Sequence, residues 1–125
     1  MNTEEKIVLC LRRLGLSPTP LEKVGHYFSF EGMNIFYCPD QGNPEIFRMI
    51  LPLSVGITSE NREQLLDAIN STNCIMKLTC TSIIDDETIW ITYTSHMFGK
   101  EPLEEMIEVA LMALKETKME LILWT

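Results

Sequence analysis

The stretch Ile89-Trp90-Ile91-Thr92-Tyr93-Thr94 decides the fold. Ile89, Ile91 and Tyr93 alternate with Trp90, Thr92 and Thr94, the period-two pattern of a strand with one buried and one open face. An apolar sheet face needs a cover. The cover is encoded downstream, where Leu103, Met106, Ile107, Ala110, Leu111 and Leu114 recur at helical spacing after Pro102. Pro102 suits the first helical position. Burying that stripe contributes on the order of 10 kcal/mol gross, at roughly 1.5–3 kcal/mol per large side chain, against the entropy of ordering it.

Upstream, Met76, Leu78 and Cys80 alternate with Lys77, Thr79 and Thr81, which predicts the hairpin partner of the first stretch with Met76, Leu78 and Cys80 inward. Asp85-Asp86-Glu87 supplies the turn; no oxygen-ligand pattern continues beyond these acids, so they read as a solvated tip and not a calcium loop. Thr58 or Ser59 caps a helix from Glu60 to about Asn70, with Leu65, Leu66 and Ile69 buried. Asn70-Ser71-Thr72-Asn73 should end it, because short polar side chains compete for backbone hydrogen bonds. The run Ile46 to Leu53 is apolar on both parities except at Arg48, which predicts a central strand covered on both faces. Pro52 marks an edge or a bulge in it.

Two further strands, Val24 to Phe30 and Ile35 to Cys38, flank a tight turn at Glu31-Gly32-Met33-Asn34, and residues 39–44 form a loop. The first helix runs from Glu4 to Leu14 with Thr3 as N-cap. Ile7, Leu11 and Leu14 share its face, with Cys10 beside them. Gly15 is the left-handed stop, Leu16 folds back on Leu11, and Ser17-Pro18-Thr19-Pro20 bars continuation. The sum is one α+β domain over residues 1–125, of order α-β-β-β-α-β-β-α. Its five-stranded antiparallel sheet carries the first and last helices on one face.

A chain of 125 residues that is 46% hydrophobic can build a core. No run approaches the roughly 18 apolar residues of a membrane span, and the acidic start Met1-Asn2-Thr3-Glu4-Glu5 lacks a secretory leader, so a cytoplasmic location is expected. The net charge of −8, with no basic cluster beyond Arg12-Arg13, excludes nucleic acid and anionic membrane as partners. Cys10, Cys38, Cys74 and Cys80 read as reduced, mostly buried thiols. Neither they nor His26 and His96 stand at ligand spacing, so no metal and no cofactor are expected. No phosphate-cradling glycine loop, nucleophile elbow or zinc-protease motif is present, and no residue is assigned a catalytic role. His26, in phase with Val24 and Phe28, reads as a packed strand residue.

Several phrases resemble a known family. Pro44-Glu45-Ile46-Phe47-Arg48-Met49-Ile50-Leu51-Pro52 is similar to the third strand of YbjN-type sequences. Leu65-Leu66-Asp67-Ala68-Ile69-Asn70 resembles their second helix, followed by the Lys-bearing strand Cys74-Ile75-Met76-Lys77-Leu78. The hairpin Asp85-Asp86-Glu87-Thr88-Ile89-Trp90-Ile91 and an acidic amphipathic helix complete the order. The whole looks like the fold shared by YbjN-type proteins and bacterial type III secretion chaperones. That resemblance implies a protein that is often dimeric and holds another polypeptide.

Two functions of different class follow. The first is a non-catalytic protein-binding module, chaperone-like or regulatory, forming a homodimer and engaging another protein through an apolar surface. Surplus hydrophobes mark that surface: Val109, Met112 and Met119 lie off the main stripe of the last helix, and Trp90 falls on the polar parity of its strand. A specific inhibitor of another protein is a variant of this reading. The second is a small enzyme or ligand binder whose pocket draws on His26, Tyr37, Cys38 and Tyr93. A polar pocket with a perturbed titratable group favours the second, and a flat apolar patch favours the first.

Overall fold

The computed structural model describes residues 1–125. The elements are α1 (Thr3–Arg13), β1 (Thr19–Leu21), β2 (Gly25–Phe30), β3 (Met33–Tyr37), β4 (Ile46–Ser54), α2 (Arg62–Ile75), β5 (Thr79–Ile83), β6 (Thr88–His96) and α3 (Leu103–Trp124). They form one antiparallel sheet of six strands in the order β1-β2-β3-β4-β6-β5. The α+β class and helix order are as expected, but the sheet has six strands and not five. The added strand, β1, lies in the stretch read as a helix stop. It is three residues long and pairs only with β2. Pro20 is tolerated there because an edge strand does not need its N–H.

The first helix begins one residue early. Asn2, not Thr3, is its N-cap, with Oδ1 accepting from the Glu5 N–H at 2.8 Å. Its end is as expected: the Leu16 N–H donates to the Leu11 carbonyl and the Gly15 N–H to that of Arg12, with Gly15 at φ +87°. The β2–β3 hairpin closes at the Phe30–Met33 pair, leaving Glu31 and Gly32 as turn residues, both with positive φ. A two-residue hairpin of this hand requires that at both positions.

Pro52 sits in β4 opposite Trp90 without a bulge, and at a local edge as expected: β6 pairs with it and β3 does not. The β3–β4 ladder ends at the Phe36–Ile50 pair, before reaching a residue that has no N–H to give.

Helix α2 runs through Asn70-Ser71-Thr72-Asn73 to Ile75, past its expected end. The polar side chains there find partners that leave the helix intact. Thr72 Oγ1 donates to the Ala68 carbonyl, and the Asn73 amide both donates to the Thr81 carbonyl (2.9 Å) and accepts the Thr81 N–H (2.8 Å). Asn73 thus satisfies backbone groups on the outer side of edge strand β5.

Strand β5 has the opposite parity to the one expected. Its register with β6 sets Thr79, Thr81 and Ile83 opposite Tyr93, Ile91 and Ile89. Thr81 is therefore buried, and Cys80 and Leu78 are exposed. Two of the four thiols, Cys74 and Cys80, lie on the surface, which corrects the expectation of mostly buried cysteines. All three helices cover one face of the sheet. Ile7, Cys10 and Leu11 of α1 and Ile107, Ala110, Leu111 and Leu114 of α3 pack on Phe28, Ile35, Phe47, Met49, Leu51 and Ile91. Leu65, Ala68 and Ile69 of α2 join Ile89 and Leu121 in a smaller cluster. The expected stripe of the last helix is thus its buried side, and Pro102 is its N-cap.

Candidate functional site

Because side chains alternate along a strand, the register that buries one face defines the other. The pairs Tyr27–Phe36, Phe36–Ile50, Ile50–Thr92 and Thr92–Cys80 draw one row across five strands on the helix-free face. The pairs Pro52–Trp90 and Trp90–Ser82 draw the next. Tyr27 and Phe36 lie ring to ring at 6.1 Å, and neighbours shield Ile50 down to 7% exposure although no helix lies over it. Central β4 is apolar on both parities, as read from the sequence, yet only one of its faces has a cover.

Charge is nearly absent from this face. Arg48 is the one Lys, Arg, Asp or Glu among its strand residues, and its guanidinium meets Asp40 at 3.6 Å. All the other charged side chains of a −8 chain lie on helices, turns and loops. Tyr27 and Phe36 were not singled out from the sequence; the signal available was their shared parity opposite Phe28 and Ile35.

Of the residues expected at a partner surface, Trp90 is half-buried on this open face. Val109, Met112 and Met119 are exposed on α3, which sits on the covered face, and they point away from the sheet. The fold separates the four into two surfaces on opposite sides of the molecule.

The residues weighed for a pocket do not share one. His26 stacks on Tyr37 at 6.1 Å, with Nδ1 3.8 Å from a Glu4 carboxylate oxygen and no hydrogen-bond partner. Tyr93 is reached from Tyr37 only through Phe47, and both tyrosines belong to the core. Burial drives the Tyr37 phenol well above its ordinary range, with Glu4 and then Cys38 adding to the shift. Cys38 follows Tyr37 and so takes the other parity, beside Arg48; burial raises its thiol, and Arg48 offsets part of this. The clefts are shallow. One of about 510 Å³ opens between Thr3, Lys6, Glu45, Phe98 and Glu101 and is lined by none of the four. No three His, Cys, Asp or Glu side chains converge, and no helix is long and apolar enough to cross a membrane.

The loop after β3 is held by charge. Asp40 Oδ1 accepts the N–H groups of Gly42 (3.0 Å) and Asn43 (3.1 Å). The Gly42 bond leads in holding the carboxyl below its usual range, and Arg48 adds to it. A depressed native pKa gives stability that is complete above the unfolded carboxylate value, about 3.9, and is lost as pH falls through the native value. Asp40→Asn should therefore melt below the parent at pH 7, and the gap should close at an acid pH below the unfolded carboxylate value of about 3.9. An equal gap at both pH values would show that the Asp40 charge is not what anchors the loop.

No protein-family model and no curated protein matches the sequence. Among solved structures, YbjN from E. coli, a proposed transcription regulator, superposes with a TM-score of 0.71 at 8% identity, over 94% of this chain and 87% of that one. The chain has the YbjN-type fold. An uncharacterized protein from Methanothermobacter thermautotrophicus matches equally well, with a TM-score of 0.71 at 12% identity over 95% and 93% of the two chains. Identities this low establish a YbjN-type arrangement of helices and strands and nothing about residues. The likeness anticipated from short sequence phrases holds at the level of the fold.

Proposed function

We propose that the chain is a non-catalytic protein-binding module, chaperone-like or regulatory, that self-associates through the open sheet face as a two-fold homodimer. The observation that carries this reading is the nearly uncharged face bearing Tyr27, Phe36, Ile50, Pro52 and Trp90. Two copies of a −8 chain repel each other, and this is the surface on which they can meet without bringing carboxylates together. Strands about 4.8 Å apart make the face about 25 Å wide, and its longest strands run about 30 Å. That scale matches the ~800 Å² per partner of a stable interface, and two-fold dimers are the commonest oligomer. Aromatic side chains are favoured at such interfaces. The neighbouring YbjN, a proposed regulator, agrees with a role in binding and not in catalysis.

Light scattering at micromolar protein should return about twice the chain mass. Trp90→Asp, a charge set at a half-buried position of β6 on this face, should return the chain mass with an unchanged circular dichroism spectrum. A wild-type protein that is monomeric throughout this range defeats the proposal.

A further inference from the structure

Helix α3 carries a second apolar stripe on its outer side. Val109, Met112, Met119 and Leu123 are exposed at 48%, 44%, 57% and 79%. With Glu116 between the two methionines, the positions Val109, Met112, Glu116, Met119 and Leu123 step by three, four, three and four residues. That is the spacing of a coiled-coil seam, which keeps one face of a helix toward another helix. Covering the sheet does not require it, since Ile107, Ala110, Leu111, Leu114 and Leu121 already do so. A strand or an extended peptide, with period two, does not match a seam of this spacing.

Charge selects the occupant. Glu116 lies at the midpoint of the seam, seven residues from Val109 and seven from Leu123. Any two-fold pairing of this stripe with itself therefore brings Glu116 against its own copy. An antiparallel pair does so at the dyad, and a parallel pair does so in register. Glu105, Glu108 and Glu116 have no ion-pair partner, and Lys115 is held by Glu31 at 2.9 Å. A carboxylate on an apolar seam favours a cation opposite it and rejects an anion. The same glutamates disfavour an anionic lipid surface.

We propose that the outer stripe of α3 seats an amphipathic helical segment of a different polypeptide, one with a lysine or arginine at the level of Glu116. This rests on the protein-binding reading only in taking a polypeptide as ligand; the surface is separate from the sheet face. The seam is about 21 Å long at 1.5 Å per residue. A free segment of that length is marginally helical in water, so docking is accompanied by helix formation.

The test uses the full-length protein and two synthetic three-heptad peptides with leucine at the seam positions and identical outer residues. The peptides differ only at the central seam position, lysine in one and glutamate in the other. The lysine peptide should bind with a gain in helical circular dichroism, and the glutamate peptide about tenfold more weakly or worse. Glu116→Lys should reverse the order. Met112→Asp combined with Met119→Asp should abolish binding of both while leaving the light-scattering mass unchanged. Equal binding of the two peptides, no binding of either, or indifference to these substitutions overturns the proposal. Trp90→Asp separates the two readings: it should change the mass and leave peptide binding intact. Loss of peptide binding in Trp90→Asp places the peptide on the sheet face, which refutes the seam and spares the binding module.

Discussion

Gly25→Ala is expected to remove a large part of the protein's stability. Gly25 opens β2 at φ +139°, and a Cβ there would lie 2.2 Å from the Tyr37 carbonyl oxygen and 2.6 Å from Pro39 Cδ. Neither neighbour is the end of a flexible side chain. The Tyr37 carbonyl belongs to β3, and Pro39 begins the loop that Asp40 anchors. Strained backbone costs on the order of 1–3 kcal/mol, and forced overlap in a packed region adds about as much again. Against a typical total of about 5–15 kcal/mol, the loss should lower the melting temperature by on the order of 10–20 °C. Gly15→Ala is the control. Its φ is +87°, but no atom lies within 4 Å of the added Cβ, so it pays only the left-handed backbone term, about 1–2 kcal/mol. Equal melting temperatures for the two variants would mean that β2 and β3 do not approach each other as described.

Gly25 also illustrates what the sequence leaves illegible. Read locally, it was an interior residue of a strand starting at Val24; its role depends on a carbonyl twelve residues away. The same holds for Asn73, whose neighbours argue for a helix end but whose amide is occupied by Thr81 of β5. In β5, local apolarity pointed Met76, Leu78 and Cys80 inward, whereas pairing with β6 puts Thr79, Thr81 and Ile83 there. The hydroxyls do not explain that parity: Thr79 meets Thr117 at 2.7 Å, but the Thr81 hydroxyl is buried without a partner, so the pairing with β6 sets it there. By contrast, α3 and β6 were legible because their patterns are long and agree with what they pack against.

The candidate site was legible in parts. Parity alone put Trp90 outward, and helical spacing alone put Val109, Met112 and Met119 off the core stripe. That these residues form two surfaces follows from the layer order, because all three helices share one side of the sheet. No local pattern encodes that choice. The both-parity apolar run of β4 implied a cover on each face; within one chain there is only one, and the unfilled side is the strongest hint that a second molecule belongs there.

Phe47→Ala should cost about 3–5 kcal/mol, the usual range for deleting a buried aromatic. Phe47 is fully buried in central β4, between Tyr37 of β3 at 5.9 Å and Tyr93 of β6 at 6.0 Å. The two rings cannot close over the gap, since each belongs to a strand laddered to β4. The cavity therefore persists, and its cost adds to the lost transfer energy. Phe36→Ala removes the same ring from the other face of the sheet, where Phe36 is partly buried beside Tyr27. In a dilute monomer it should cost less, on the order of 1–2 kcal/mol, because part of its apolar area is open to solvent. Denaturation by urea at several protein concentrations distinguishes the two kinds of loss. The Phe47→Ala deficit is internal and should not depend on concentration. The Phe36→Ala deficit should grow with concentration, because dimerisation stabilises only the chain whose open face is intact. A Phe36→Ala deficit that stays constant from nanomolar to micromolar protein would remove that face from the interface, and a Phe47→Ala deficit below about 1 kcal/mol would remove Phe47 from the core.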